Sequence, residues 1–111
     1  MSLASDKTRT VFFVSDRTGL TAETFGKNLL AQFPDLAFET RTLAFIVDEA
    51  NARHVASMIN QTYEQSGIKP IVFSSMVEPA ELNIINNCNA TVIDLFNTFL
   101  DPLEKSLGMP S

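Results

Sequence analysis

The residues best suited to chemistry in this chain of 111 residues lie in one short stretch, Ser15-Asp16-Arg17-Thr18-Gly19-Leu20-Thr21. The stretch combines hydroxyls, a carboxylate and a guanidinium with a glycine, which lets backbone come close to a ligand. Hydroxyls and backbone N–H groups donate hydrogen bonds to anions, and a guanidinium pairs with a phosphate. The sequence therefore predicts a site for an anion or a hydroxylated ligand in this turn.

The patterns on either side predict which elements position this turn. An unbroken apolar run, Val11 to Val14, precedes it and is typical of a central parallel strand that is covered on both faces. We expect this strand from about Arg9 to Ser15. A helix should follow from about Thr21, its N-cap, to Phe33, with apolar residues three or four apart, namely Ala22, Phe25, Leu29, Leu30 and Phe33. Ligands of open α/β sheets bind at such strand-to-helix turns.

Strand-like and helix-like segments alternate along the rest of the chain. Strands are expected at about 37–45, 69–73 and 90–93, and helices at about 49–66, from residue 79 and over 96–107, where Pro102 should cause a kink or a split into two short helices. The order β-α-β-α-β-α-β-α predicts one α/β domain over residues 9–111. Its fold class is a three-layer open sheet of four parallel strands in the order 2-1-3-4, with helices on both faces, Rossmann/flavodoxin-like.

Two further hydroxyls are expected at the same edge of the sheet. The third strand ends at Ser74 and Ser75 and neighbours the first strand in this order, so both ends should converge. The candidate ligand-binding residues are Ser15, Asp16, Arg17, Thr18, Gly19, Thr21, Ser74 and Ser75. Hydroxyls in such turns often only satisfy local backbone groups, which is the structural alternative. We identify no catalytic residue and no metal site, because His54 is the only histidine and stands alone.

Composition excludes several classes of partner. The net charge of -5 and the absence of a Lys/Arg cluster argue against nucleic acid and against an anionic membrane surface. No apolar run reaches the length of a membrane span. A single cysteine, Cys88, allows no internal disulfide, so a cytoplasmic location is expected. Residues 1–8 read as a lead-in, with Met1-Ser2-Leu3 as an expression-vector remnant.

Three segments carry a resemblance to a known family. Residues 14–24 (VSDRTGLTAET), Gln32-Phe33-Pro34 and residues 67–74 (GIKPIVFS) are similar to the N-terminal region of the phosphoenolpyruvate synthase regulatory proteins. The resemblance covers residues 9–107, with Arg17 at a position where many members have glycine. These bacterial proteins are ADP-dependent serine/threonine kinases and also phosphate-dependent phosphorylases.

The resemblance implies that this chain is the N-terminal part of a larger two-domain protein. The parent enzyme would use ADP to phosphorylate a threonine of phosphoenolpyruvate synthase or pyruvate phosphate dikinase, and inorganic phosphate to remove the phosphoryl group. The resemblance implies a P-loop in a second, C-terminal domain. The glycines of this chain, at 19, 26, 67 and 108, form no such motif. We therefore expect this segment alone to hold no cofactor and to transfer no phosphoryl group.

Two other functions remain open at this point. Thr18-Gly19-Leu20-Thr21 also resembles the phosphate loop of flavodoxins, although the segment after the third strand, Ser74 to Val77, has no aromatic residue to stack on a flavin. The domain could instead serve as a structural homodimerisation module. Flavin absorbance in the purified protein would favour the first alternative, and a monomer with intact anion binding would argue against the second.

Overall fold

A computed structural model describes residues 8–111, and the expected vector remnant Met1-Ser2-Leu3 lies outside the described residues. Strands and helices alternate throughout this part of the chain. The strands are β1 (Arg9–Val14), β2 (Phe38–Leu43), β3 (Ile71–Ser74) and β4 (Thr91–Asp94). The helices are α1 (Leu20–Leu30), α2 (Glu49–Ser66), α3 (Pro79–Asn86) and α4 (Leu95–Leu107).

Over residues 8–111 the strands form one parallel sheet in the order β2-β1-β3-β4, which confirms the predicted topology. Val11 is paired with Thr40 on one side and with Ile71 on the other, so β1 is central. Its apolar run from Val11 to Val14 is fully buried, as an unalternating run predicts. The edge strand β2 exposes the four residues between Phe38 and Leu43, which fits its mixed polarity.

The helices cover the two faces of the sheet in pairs. α1 and α4 pack on the face formed by Val11, Phe13 and Phe73, where Ala22 and Leu95 are their buried residues. α2 and α3 pack on the opposite face, against Phe12, Val14 and Val72, through residues such as Ile59 and Ile85. The result is the expected three-layer α/β/α arrangement, with an apolar core on each face of the sheet.

The contact face of α1 differs from the expected one. The buried residues of α1 are Ala22 and Gly26, whereas Phe25 and Leu29 are 43% and 41% exposed. The physical reason is the thickness of the core, because the rings of Phe13 and Phe73 already stack beneath the helix with centroids 5.9 Å apart. A Cβ at Gly26 would lie 2.4 Å from Phe13 Cε1, so only small residues fit where the helix crosses the rings.

Of the two outcomes expected at Pro102, a kink or a split, the split does not occur. α4 continues from Leu95 to Leu107 with Pro102 inside it, so there are not two short helices. Proline removes one N–H donor, which leaves the carbonyl of Thr98 without its helical partner. Thr98 is exposed, so water can satisfy that carbonyl, and the pair Asp101–Lys105 spans the proline at 3.1 Å.

The long helix α2 agrees with its predicted bounds. Asp48 caps it by accepting a hydrogen bond from the Asn51 N–H at 2.7 Å, and Gly67 ends it with a φ of 74°. His54 is exposed on its outer surface, as expected for a helix residue away from any strand end. In the part of the chain with described coordinates, no helix is both long and apolar enough to cross a membrane.

Candidate functional site

A cleft of about 320 Å³ opens at the carboxyl edge of the sheet, beside the turn from β1 to α1. Seven consecutive residues of that turn supply one wall, and residues that follow β3 and β4 supply the other. The lining residues are Ser15, Asp16, Arg17, Thr18, Gly19, Leu20, Thr21, Ser75, Val77 and Phe96. The structure thus brings together every predicted site residue except Ser74.

Local hydrogen bonds hold the turn in shape. The Ser15 Oγ accepts from the Arg17 N–H at 3.0 Å, and the Thr18 Oγ1 accepts from the Leu20 N–H at 3.3 Å. Gly19, with a φ of 86°, is the N-cap of α1 in place of the expected Thr21, and it makes no side-chain cap. A Cβ atom at position 19 would lie 2.7 Å from Thr42 Cγ2. The positive φ is also unfavourable for any residue that has a side chain. Arg17 does not share this positive φ, so it fits the turn where many relatives are expected to have glycine.

The loop after β2 is bonded to the same turn. The Phe45 N–H donates to the Arg17 carbonyl at 2.8 Å, and the Ile46 N–H donates to the Ser15 carbonyl at 3.0 Å. Phe45 has a φ of 58°, and among residues 8–111 it is the single non-glycine residue with a positive φ. A bulky residue in this region is strained, and such strain persists where the surrounding contacts require it. Two backbone hydrogen bonds therefore tie this loop to the turn.

The start of α1 is anchored to β2 by a side chain. The Thr42 hydroxyl donates to Glu23 Oε2 at 2.7 Å, and Lys27 Nζ lies 3.2 Å from Glu23 Oε1. The Thr42 hydrogen bond, and then the hydrogen bond and charge of Lys27, hold the pKa of the Glu23 carboxyl below its usual value. The first turn of α1 is thus fixed beside the cleft.

The first turn of α1 supplies free donors to the cleft. Within residues 8–111 no acceptor takes the N–H groups of Thr21 and Ala22, because the first N–H groups of a helix have no partner inside it. The Thr18 and Thr21 hydroxyls and the exposed Arg17 guanidinium lie beside them. Partial positive charge at a helix N-terminus favours an anion, so this wall suits a phosphate or carboxylate group.

The two serines after β3 have different roles in the structure. Ser74 is fully buried, and its Oγ accepts from the Met76 N–H at 3.3 Å, so it lies beneath the cleft. Ser75 is only 5% exposed, and its N–H donates to the Val14 carbonyl at 3.0 Å. Its hydroxyl lines the cleft and has no hydrogen-bond partner among the described residues. Ser75 therefore offers an unused, solvent-accessible hydroxyl to whatever occupies the cleft.

Asp16 supplies the carboxylate of the cleft lining. Its side chain is half-buried, and no group in the described range is hydrogen-bonded or ion-paired to its carboxylate. A carboxylate in that setting accepts hydrogen bonds, so it suits a hydroxyl or a bound water rather than a phosphate. Asp94, at the end of β4, is occupied differently, because it caps α4 by accepting from the Asn97 N–H at 3.2 Å.

An apolar wall of the cleft was missed by sequence reasoning. Leu20, Val77 and Phe96 line it and are exposed by 68%, 60% and 37%. A usable signal was present, since Phe96 and Val77 follow the ends of β4 and β3 closely, and the carboxyl ends of parallel strands share one edge. The cleft therefore combines hydrogen-bond donors, which suit an anion, with an apolar surface that includes an aromatic ring.

Fold and cleft together define an α/β domain with a donor-rich strand-to-helix turn at the carboxyl edge of its sheet. The family model described as "Kinase/pyrophosphorylase" matches residues 11–111, so the chain belongs to that family. A relative from Paracidovorax citrulli is 50% identical over 94% of this chain, and one from Alkalilimnicola ehrlichii is 44% identical over 93%. Both carry the name "Putative phosphoenolpyruvate synthase regulatory protein". The matched part is only 38% and 37% of these relatives' length, and a Ralstonia nicotianae relative of the same name gives a similar result.

Proposed function

We propose that this chain is one domain of a regulatory phosphotransferase that acts on phosphoenolpyruvate synthase or on pyruvate phosphate dikinase. The parent protein would phosphorylate a threonine of that target from ADP and remove the phosphoryl group with inorganic phosphate. The family description and the relatives' names support a regulatory kinase-like protein. The donor, the threonine and the phosphate-dependent reverse reaction are our proposal and follow from the resemblance.

The domain's own contribution would be to bind an anionic group in the cleft. The observation that carries this proposal is the convergence of free donors on one cleft: two helix N–H groups, the Thr18 and Thr21 hydroxyls, and, from the other wall, the Ser75 hydroxyl. Arg17 would pair with the anion's charge, and Asp16 would accept a hydrogen bond from a hydroxyl of the same ligand. Because the chain has no P-loop, we expect it to transfer no phosphoryl group by itself.

Binding is tested by titrating phosphate and ADP separately into the 111-residue chain while amide shifts are followed by NMR. Shifts should concentrate on residues 18–22 and on Ser75, and Ser75→Ala should weaken them. Ser57→Ala, on the outer surface of α2, is the matched control and should leave the titration unchanged. Shifts elsewhere, or none at millimolar ligand, would contradict the proposal.

The role of Asp16 is tested in the full-length enzyme with Asp16→Asn, which keeps most hydrogen bonding and removes the charge. We expect kinase and phosphorylase rates to fall at least tenfold with an unchanged Tm, equivalent to about 1.4 kcal/mol of transition-state stabilisation. Wild-type rates combined with a lowered Tm would make Asp16 a structural turn residue.

A second candidate function is favoured by Phe96. Its ring lines the same cleft as the Thr18-Gly19-Leu20-Thr21 turn, so an aromatic face is available after all, supplied by the segment after β4. A flavin phosphate could place its phosphate on the turn and its ring system near Phe96. Flavin absorbance in the purified protein, lost in Phe96→Ala, would support this alternative over the regulatory one.

A further inference from the structure

The helix layer formed by α1 and α4 has an apolar outer surface. Phe25 and Leu29 of α1 are exposed by 43% and 41%, and Phe99, Leu103 and Leu107 of α4 by 46%, 51% and 72%. We call these five residues the α1/α4 apolar surface. They are separate from the cleft, whose lining includes none of them.

These residues form one continuous surface. The rings of Phe25 and Phe99 lie 5.2 Å apart between centroids and join the two helices. Both helices follow parallel strands and cover the same face of the sheet, so they run in the same direction. Leu29 and Leu103 each lie one helical turn beyond the joined pair, and Leu107 lies one turn further. Two apolar rows therefore run side by side.

The exposure is specific to this layer. α2 and α3, on the other face, carry none of the large apolar residues found exposed over residues 8–111. Leu95 is the single buried residue of α4, and most of the helix's other apolar side chains are exposed. Contiguous apolar surface of this kind marks an interaction site in a soluble protein.

The length of the relatives favours one occupant. The matched segment is 37% to 38% of their length, so nearly two thirds of each relative has no counterpart here. A segment in the same polypeptide is present at an effective concentration on the order of millimolar, far above that of a second copy in dilute solution. The charge of -5 on each chain also disfavours self-association.

We propose that the α1/α4 apolar surface is the docking surface for the remainder of the longer polypeptide, which would contribute a complementary Leu- and Phe-rich face. The proposal rests on the longer protein assumed in the proposed function and not on its phosphoryl chemistry. Coverage of this surface would fix the second domain beside the helix layer that also carries the cleft's donor-rich turn.

The test is cysteine accessibility, which needs no enzyme activity. Leu103→Cys is placed in the 111-residue chain and in the full-length protein, with other reactive cysteines replaced by serine, and maleimide labelling rates are measured by mass spectrometry. Ser57→Cys, exposed on α2, is the matched control. Labelling at 103 should be at least tenfold slower in the full-length protein, at every protein concentration, and labelling at 57 should be equal in both.

Two results would overturn the proposal. Equal labelling at 103 in both proteins would mean that the remainder of the polypeptide does not cover the surface. Protection at 103 in the 111-residue chain that disappears on dilution would identify a second copy as the occupant. If Leu103→Cys fails to fold in the full-length protein, Leu107→Cys provides the same readout at a more exposed position. The labelling rates do not depend on enzyme activity, so the result for Asp16→Asn does not affect them. The docking proposal and the proposed function can therefore be contradicted independently.

Discussion

The two helix layers of this domain differ in how they meet solvent. The outer surface of α2 is polar, with Arg53, His54 and Ser57 exposed between its buried residues. The layer of α1 and α4 exposes Phe25 and Phe99 instead. Both layers have an apolar inner face. They therefore differ only in their outer surfaces. α2 and α3 are complete as a surface layer, whereas α1 and α4 have the apolar surface of an internal layer.

The largest expected effect is a difference in the free energy of unfolding between two truncations. One variant truncates a buried residue of α2, and the other truncates an exposed residue of α4. Ile59 of α2 is 0% exposed, so Ile59→Ala should lower the free energy of unfolding by about 2–5 kcal/mol. Leu103→Ala in α4 should lower it by about 0.5 kcal/mol, because Leu103 is 51% exposed. Urea unfolding of the 111-residue chain, followed by circular dichroism, measures both. Similar losses for the two variants would contradict the comparison.

An intermediate effect is expected at the contact between α1 and the sheet. Gly26→Ala adds a methyl group 2.4 Å from Phe13 Cε1, and its steric cost should exceed the gain of about 1 kcal/mol in helix propensity. We expect a net loss of about 1–2 kcal/mol in the free energy of unfolding. Asn28→Ala, on the exposed side of the same helix, should instead stabilise the domain by about 0.5 kcal/mol. A stabilising Gly26→Ala would show that the helix can move away from the rings.

The sequence predicts those features of the fold that depend on a single element. It does not predict features that depend on residues brought together from different elements. The strand order follows from the unalternating run in β1 and the polar pattern of β2, because both reflect burial along a single strand. The face of α1 could not be predicted in the same way. Phe25 and Leu29 have the right spacing for a core stripe, but the stacked rings beneath the helix admit only Ala22 and Gly26.

The candidate site shows the same division. The turn from Ser15 to Thr21 was predictable, because a strand end, a glycine and hydroxyls coincide in one segment. The two serines at the end of β3 could not be told apart, since only the pleat and the local bond to Met76 turn Ser74 inward. The sequence placed Phe96 only at the start of the last expected helix, whereas the direction in which α4 leaves β4 brings it to the cleft.

Replacing exposed apolar residues of α4 should have a smaller effect on stability. It should clearly reduce the apolar area of the α1/α4 apolar surface. Leu103→Ser combined with Leu107→Ser should lower the free energy of unfolding of the 111-residue chain by about 1 kcal/mol. Fluorescence of a dye that binds apolar surface should fall at least about twofold, since two residues of the exposed row are removed. Ser57→Ala with Gln61→Ala on α2 is the polar-layer control and should leave dye binding unchanged. Unchanged dye binding in the α4 variant would remove the distinction between the layers.

The smallest expected effect concerns the ion pairs on the two layers. The lowered pKa of Glu23 means that its bonds to Thr42 and Lys27 stabilise the fold above pH 4.5, the ordinary value, and that this contribution is lost as the pH falls below it. Glu23→Gln should lower the Tm slightly at pH 7 and not at low pH. Glu49→Gln, which removes the 3.5 Å pair with Arg53 on α2, should change the Tm less. A larger effect at Glu49 would contradict the anchoring role of Glu23.

The central position of β1 has a consequence for synthesis on the ribosome. Its partner on one side, β2, follows soon along the chain, but Val11 also requires Ile71, which is translated much later. At about 5–20 residues per second, that delay is on the order of 3–12 s. During it the most apolar strand of the sheet has an open edge, which is a template for aggregation or for a chaperone. The nascent chain is therefore most vulnerable before β3 emerges, and a slow codon stretch in that interval would lengthen its exposure.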